Sequence, residues 1–300
     1  NTYPVSIRLN PNMISEIETR TTDLSSLNFA SVNKEHYDDV SKEQVEAWHN
    51  QSKFGISLTQ FDKVLKLVEK YNIKINGVHV HSSHVILNEE VFKKGVKTVF
   101  KIAKLFNHLE YVDFGGGIMV KHHPDDKVVE LDKIGKILKK EYDKFCVSIG
   151  KKIKIWFEPG RYLLSESGIL LAKAVVLKTN GFINFVGTNT GFNHLLRPMM
   201  YDAYHQIINI TNPDGELEKY NIVGNLCEID NIGVHRTLNK VRQDDIIMIK
   251  NAGAYGFSMS SNYNTRPKPA EVLIINGKPR LIRKRENFDD LIRNQIELDF

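Results

Sequence analysis

The feature that most constrains the fold is an alternation of short apolar runs with amphipathic stretches between residues 5 and 160. This alternation is typical of parallel β-strands joined by crossover helices. Apolar residues recur at helical spacing in the intervening stretches, for example from Leu131 to Tyr142. We predict four strands, which are VSIRLN at 5–10, INGVHVH at 75–81, EYVDFGG at 110–116 and KIKIWFEP at 152–159. Consecutive βα units of this kind indicate either half of a (β/α)₈ barrel or a doubly wound sheet.

The chain changes character near residue 165. β-branched runs separated by turns follow, such as INFVGT at 183–188 and DDIIMIKNAG at 244–253, and the apolar run at 168–178 is predicted to be a buried strand. We therefore expect two domains, an α/β domain over residues 1–165 and an all-β domain over 166–300, with a short terminal helix at 287–296. The polar stretch at 12–51 has weak periodicity and is interpreted as a long insertion.

Composition excludes several classes of protein. Positive and negative charges are interspersed and the net charge is only +5, which argues against a nucleic-acid partner. No apolar run approaches the ~20 residues needed to cross a bilayer. Cys146 and Cys227 lie far apart in the sequence, so we do not expect a disulfide framework. Because disulfides are rare in reducing compartments, we expect the protein to be cytoplasmic. The chain does not begin with Met, and Tyr3 to Leu9 already has the pattern of a strand, so we expect it to be part of a longer protein.

Residues able to carry chemistry lie where the predicted strands end. Gly115, Gly116 and Gly117 follow one strand, where their N–H groups could approach a phosphate, although a purely structural turn is an equal alternative. Glu158 and Arg161 end the next strand at the same edge. They could form an acid and phosphate site, or only a structural ion pair.

Four histidines are candidate metal ligands. We expect His79 and His81 to face opposite sides of their strand, so that they chelate poorly and only one points into a cleft. His122 and His123 have a metal-like composition with the aspartates that follow them, but a solvated turn is the simpler interpretation. No metal site is predicted.

Eight motifs occur in one order along almost the whole chain, and in that order they resemble the fold-type III pyridoxal-phosphate (PLP) decarboxylases, the family that includes diaminopimelate decarboxylase. The resemblance implies the C-terminal half of an alanine racemase-like (β/α)₈ barrel followed by a β-domain. It also implies that the lysine holding the cofactor covalently would precede Asn1. The motifs are RLNP at 8–11, SKFGI at 52–56, GVHVH at 77–81, DFGGG at 113–117, EPGR at 158–161, RPMMYDAYH at 197–205, CEID at 227–230 and GAYGFSMSSNYNTRPKPAEVL at 253–273.

The resemblance assigns the cofactor contacts. His81 would stack on the pyridine ring, and Glu158 would pair with the pyridine nitrogen. The phosphate would be held by Gly115, Gly116, Gly117, Gly160 and Arg161, with Tyr255 closing over the phosphate or the substrate. Where the family has Gly and Ser after the second histidine, this chain has Ser83 and His84, which changes one phosphate contact.

The substrate contacts follow in the same way. Arg197 and Tyr201 would bind a substrate carboxylate, Cys227 would protonate the carbanion, and Glu228 would bind the distal amino group. The resemblance also implies a homodimer in which the Cys–Glu pair reaches into the neighbour's site.

Glu228, where many relatives carry Asp, favours meso-diaminopimelate as substrate and L-lysine and CO₂ as products. Decarboxylation of D-ornithine or D-lysine is an alternative, and so is a non-catalytic homologue that binds a partner. An unrelated sugar-phosphate barrel is the least favoured alternative, because it gives the Cys–Glu motif no role.

Overall fold

The computed structural model describes residues 5–10, 53–57, 60–81, 89–126, 128 and 130–298. The chain forms two compact units. The first consists of Asn1–Lys121 and Asp125–Leu163, and the second of His122–Pro124 and Leu164–Phe300. The polar stretch at 12–51 and the Ser83–His84 pair lie outside the described residues.

A five-stranded parallel sheet forms the centre of the first unit, in the order β2-β1-β3-β4-β5. The four predicted strands are confirmed, and β2 is an addition that is too short to produce a sequence pattern. The strands are β1 (Val5–Asn10), β2 (Ile56–Ser57), β3 (Ile75–Val80), β4 (Tyr111–Asp113) and β5 (Lys154–Trp156). β4 and β5 end earlier than predicted, because the chain leaves both strands to form the loops that carry the glycines and Glu158.

Helices alternate with these strands and cover their apolar side chains. Val78 on β3 and Val112 on β4 are fully buried in one core with aromatic residues of the helices. The rings of Phe100 and Phe145 stack at a centroid distance of 4.5 Å and join two of the helices. The helices are α1 (Phe61–Lys70), α2 (Glu89–Ala103), α3 (Leu131–Ile149) and α4 (Gly160–Leu164).

The second unit is built on a six-stranded sheet in the order β10-β9-β7-β6-β11-β8, and β12 pairs with β13 in a separate hairpin. Ile222, Ile247 and Ile249 are fully buried in its core. The all-β character of this region is therefore confirmed. The strands are β6 (Leu170–Asn180), β7 (Ile183–Thr188), β8 (Ile207–Asn209), β9 (Leu217–Val223), β10 (Asn231–Asn239), β11 (Ile246–Ile249), β12 (Glu271–Ile275) and β13 (Lys278–Arg283).

Three local expectations differ from the structure. β6 is not buried throughout, since Val176 and Leu177 in its second half are exposed. A short helix interrupts the β region at α5 (Arg197–Tyr201). The terminal helix, α6 (Phe288–Ile292), starts where predicted behind an Asn287 capping box but ends sooner than 296.

Both cysteines are free thiols. Within the described residues, none of the helices combines the length and the apolar character that crossing a membrane requires. The cytoplasmic location stays a prediction.

Candidate functional site

His79, His81 and Glu158 meet at the carboxyl end of the parallel sheet. Glu158 Oε2 lies 3.1 Å from His81 Nδ1 and 3.7 Å from His79 Nε2, and the two imidazole rings are 6.4 Å apart. The prediction that the two histidines face opposite sides is wrong. Side chains along a strand alternate with a period of two, so residues two positions apart point to the same side.

The ligand atoms of these three residues lie within 4.8 Å of one another, a spacing that would also suit a cation. Because His79 and His81 share a face of the strand, their orientation does not exclude a cation, contrary to the prediction from the sequence. Burial lowers the pKa of His79, and the Coulombic attraction of Glu158 opposes this shift. His79 is thus a neutral imidazole near neutral pH.

The glycine loop packs tightly against the same residues. Gly115 has a φ of +66°, and a Cβ there would lie 2.5 Å from the carbonyl oxygen of Val80. A Cβ on Gly116 would lie 2.6 Å from the carbonyl oxygen of Glu158. Only glycine can hold the loop this close to β3 and to Glu158.

The amides of this loop already have partners within the protein. Gly115 N–H donates to Asp113 Oδ1 at 2.8 Å, and Gly116 N–H donates to His81 Nδ1 at 3.2 Å. A phosphate bound here would have to compete with Asp113 and His81 for these two donors. Gly117, with a φ of +96°, follows in the same loop.

Arg161 lies in the first turn of α4, after Gly160, whose N–H donates to Glu158 O at 2.9 Å. In the described part of the chain, the Arg161 guanidinium contacts the sulphur of Met119 at 3.2 Å. A thioether is a weak acceptor, so Arg161 keeps donor capacity for an anion.

This edge of the sheet fits pyridoxal phosphate. The side chains of His81 and Glu158 are 41% and 49% exposed, so both can reach a ligand. The imidazole of His81 can stack on an aromatic ring, and the carboxylate of Glu158 can pair with a pyridinium nitrogen. The guanidinium of Arg161 can bind a phosphate.

In the second unit, Cys227 and Glu228 form a hydrogen-bonded group with two residues of the 261–266 segment. Cys227 Sγ donates to Glu228 Oε2 at 3.4 Å, and Asn264 Nδ2 donates to Cys227 Sγ at 3.3 Å. Tyr263 OH donates to Glu228 Oε1. This hydrogen bond lowers the pKa of Glu228 and raises that of Tyr263, so Glu228 is a carboxylate at neutral pH.

Arg197 lies in the interior of the second unit. It opens α5 and is only 5% exposed. Its Nη1 is 3.1 Å from Nε2 of the fully buried His205, whose Nδ1 lies 2.8 Å from the carbonyl oxygen of Lys250. Burial lowers the pKa of His205 to about 4, so the ring is neutral, with Nδ1–H donating to Lys250 and Nε2 accepting from Arg197.

The remaining predicted residues lie in the second unit. Tyr201 ends α5 and is half-buried, and Tyr255 is 43% exposed with a φ of +64°. The segment around His123 does form a turn in which Pro124 and Asp125 are exposed, but the rings of His122 and His123 pack against His205 and Tyr204, at centroid distances of 5.8 and 4.6 Å.

Four residues that contribute to these groups had no role in the sequence analysis. They are Asp113, Tyr263, Asn264 and Asp230, which all lie inside quoted motifs. The contacts of Tyr263 with Glu228, of Asn264 with Cys227 and of Asp230 with Phe192 join residues 35, 37 and 38 positions apart, which a linear pattern does not show. Asp230, which is buried, accepts the N–H groups of Phe192 at 2.7 Å and Leu226 at 3.2 Å and so holds the loop that carries Cys227.

Comparison with known proteins gives consistent results. The diaminopimelate decarboxylases of Methanothermobacter thermautotrophicus and Aquifex aeolicus are 36% and 34% identical to the chain over 255 and 253 residues. These matches cover 81% and 82% of this chain and 59% of each relative, so the chain spans about three-fifths of their length.

Among solved structures, diaminopimelate decarboxylase from M. jannaschii is similar with a TM-score of 0.79 and 27% identity, over 99% of this chain and 65% of that one. The same enzyme has been crystallised in co-complex with L-lysine. This similarity confirms the predicted fold class, half of an alanine racemase-like barrel followed by a β-domain.

The profile described as "Pyridoxal-dependent decarboxylase, C-terminal sheet domain" matches residues 14–253, which is most of the chain. Together with the cofactor-compatible edge of the parallel sheet, this match shows that the chain belongs to the pyridoxal-dependent decarboxylase family.

Proposed function

We propose that the protein carrying this chain is a PLP-dependent decarboxylase that converts meso-diaminopimelate to L-lysine and CO₂. The observation that carries the proposal is the Cys227–Glu228 pair, an exposed thiol hydrogen-bonded to an ionised carboxylate. A decarboxylase of a diamino acid needs both a proton donor for the reacting carbon and a partner for a distal ammonium group.

The residues of the first unit would hold the cofactor. Glu158 would pair with the pyridine nitrogen and keep it protonated, and His81 would lie on one face of the ring. Arg161 would bind the phosphate together with the Gly115–Gly117 loop and Gly160. When bound, PLP supplies the electron sink that accepts the bonding electrons left behind as CO₂ departs.

The residues of the second unit would hold and protonate the substrate. Arg197 presents a planar guanidinium fork suited to a carboxylate, and Tyr201 lies one helical turn further along α5. Glu228 would bind the distal ammonium, and Cys227 would donate its proton to the carbon that has lost CO₂. Tyr255 would close over the phosphate or the substrate.

The substrate assignment is supported by the charge of Glu228 and by the names of the similar relatives. The experiment is to express the protein from its complete reading frame, reconstitute it with PLP, and compare kcat/KM for meso-diaminopimelate, D-ornithine and D-lysine. We expect meso-diaminopimelate to be preferred. Preference for D-ornithine or D-lysine would overturn the substrate while leaving the reaction class intact.

The role of Glu228 has its own test. Glu228→Gln removes a charge-assisted contact, so we expect kcat/KM for meso-diaminopimelate to fall about 10- to 100-fold. For 2-aminopimelate, which lacks the distal amino group, we expect little change. An equal loss for both substrates would show that Glu228 does not recognise the distal ammonium.

We also propose a homodimer in which Cys227 and Glu228 of one subunit complete the site of the other. Mixing the variants Glu158→Gln and Cys227→Ala, each of which is expected to have strongly lowered activity, tests this. In mixed dimers with shared sites, one site regains both residues, so we expect about a quarter of the wild-type activity to return. If mixing restores no activity although mixed dimers form, each site is built from a single subunit.

A further inference from the structure

Tyr263 and Asn264 belong to none of the roles proposed above, yet each contacts one member of the Cys227–Glu228 pair. Tyr263 donates to one carboxylate oxygen of Glu228, while the Cys227 thiol donates to the other oxygen at 3.4 Å. Asn264 Nδ2 donates to the Cys227 sulphur at 3.3 Å. The thiol is therefore held between an acceptor and a donor.

The backbone that presents these two side chains is unusual. Asn264 has φ +54° and ψ +32°, and Thr265 follows with a φ of +56°. Two successive non-glycine residues in the left-handed region are costly, and such conformations cluster at functional sites. Here the conformation places the Asn264 amide against the sulphur.

Contacts on both sides fix the 261–266 segment relative to the Cys227 loop. Arg266 Nη2 donates to Asn225 O at 3.3 Å, and Ser261 N–H donates to Asn193 O at 2.8 Å. The Tyr263 ring packs against Phe192 at a centroid distance of 5.4 Å.

The Cys227 loop is fixed from its other side by the buried carboxylate of Asp230. A Cβ added to Gly224 would lie 1.9 Å from Asp230 Oδ2, so the loop backbone is packed directly onto this carboxylate. The two anchors leave the Cys227–Glu228 pair little freedom to reorient.

We propose that Tyr263 and Asn264 are positioning residues for proton donation: Tyr263 orients Glu228, and Asn264 stabilises the thiolate form of Cys227. The inference rests on the proposed function, because it assigns these roles to the Cys227–Glu228 pair. In the step concerned, the Cys227 S–H bond breaks and a C–H bond forms on the substrate carbon. The sulphur keeps the electron pair of the broken bond as a thiolate until solvent reprotonates it.

The chemistry of the two contacts suits the two forms of the thiol. Before the step, the Glu228 carboxylate accepts a hydrogen bond from the thiol and so favours its protonated form. After the step, the Asn264 N–H donates to the anionic sulphur, and a hydrogen bond to a charged group is stronger than one to a neutral group. Asn264 therefore favours the product of the proton transfer.

A purely structural role for Asn264 must be separated from this one, because asparagine is well tolerated in the left-handed conformation. Asn264→Gly keeps that backbone accessible and removes the amide. Asn264→Asp keeps the shape and places a carboxylate beside the sulphur. Asn276→Gly is the matched control, since Asn276 has a φ of +51° in the exposed turn between β12 and β13.

The measurement is the rate of Cys227 alkylation by iodoacetamide in the PLP-loaded protein, followed by mass spectrometry of the Cys227 peptide with Cys146 as internal reference. Alkylation requires the thiolate, so we expect Asn264→Gly to slow it about five-fold and Asn264→Asp to slow it further. The Asn276→Gly control should match the wild type. Wild-type rates in both Asn264 variants would overturn the role of Asn264.

Tyr263→Phe tests the proposal that Tyr263 orients Glu228. We expect KM for meso-diaminopimelate to rise about five-fold, while kcat and KM for 2-aminopimelate stay the same. Equal changes in KM for both substrates would show that Tyr263 has only a structural role. The alkylation rate can be measured whether or not the protein turns over substrate. If the wild-type protein were inactive but alkylation were still slower in the Asn264 variants, the proposed function would be refuted while the contact of Asn264 with the thiol would stand.

Discussion

Arg197 and His205 show how one buried side chain sets the state of another. Arginine only donates hydrogen bonds, so the ring nitrogen facing it must be an acceptor. The Lys250 carbonyl fixes the proton of His205 on the opposite nitrogen. His205 is therefore held neutral beside the buried, positively charged Arg197.

The lowered pKa of His205 makes stability depend on pH. The unfolded histidine has the ordinary pKa of 6.5 and the folded one about 4, so the unfolded state binds the proton more readily. The contribution is fully present above about pH 6.5 and is lost as the pH falls toward 4, by about 3 kcal/mol in total. His205→Gln should flatten this part of the pH profile of urea unfolding followed by circular dichroism. The exposed His108→Gln is the control, and an unchanged profile in His205→Gln would contradict the assignment.

Glu158 offers a second test on a single side chain. Replacing it with Gln keeps the shape but removes the charge that we propose faces the pyridine nitrogen. We expect kcat to fall about 10- to 100-fold or more with PLP still bound, as measured by cofactor absorbance and CO₂ release. Retention of wild-type kcat would exclude Glu158 from its proposed role.

The types of side chain at the site could be predicted from the sequence, but their contacts could not. Glu158 and His81 were identified because they end predicted strands. The tautomer of His205 depends on Lys250, which lies 45 residues further along the chain. The contacts of Cys227 likewise involve Asn264, 37 residues away.

The geometry of the glycine loop after β4 explains why it contains glycines. Its approach to Val80 and Glu158 leaves no space for a Cβ on Gly115 or Gly116. Gly115→Ala should destabilise the protein by about 1–3 kcal/mol, through backbone strain and the clash with Val80.

The matched control for this substitution is Gly135→Ala. Gly135 lies within α3, and a Cβ there would meet no atom within 4 Å. Because alanine favours the helix, this variant should be more stable by about 0.5–1 kcal/mol. Both are measured by denaturant unfolding, and equal effects at Gly115 and Gly135 would contradict the packing described for the loop.

Strand existence was predictable and strand ends were not. The apolar runs identified β1 and β3 to within a residue, since periodicity reports the side chains that are buried. EYVDFGG was predicted as one strand, but only Tyr111–Asp113 pairs in the sheet. Phe114 is still buried, so hydropathy continues past the point where the ladder of backbone hydrogen bonds ends.

At the scale of the whole protein, the parallel sheet described here has β2 at one edge and β5 at the other. Exposed apolar groups at a sheet edge, such as Trp156 on β5, favour association. We expect the 300-residue chain expressed by itself to self-associate. Light scattering checks this, and a monodisperse 300-residue protein would contradict it.

The central claim is that the protein is a decarboxylase of meso-diaminopimelate. Its most direct test uses the protein made from the complete reading frame, loaded with PLP and given meso-diaminopimelate labelled in its carboxyl groups. Labelled CO₂ and L-lysine, identified by chiral chromatography, should appear in equal amounts. A protein that binds PLP but releases neither product from this substrate would contradict the account.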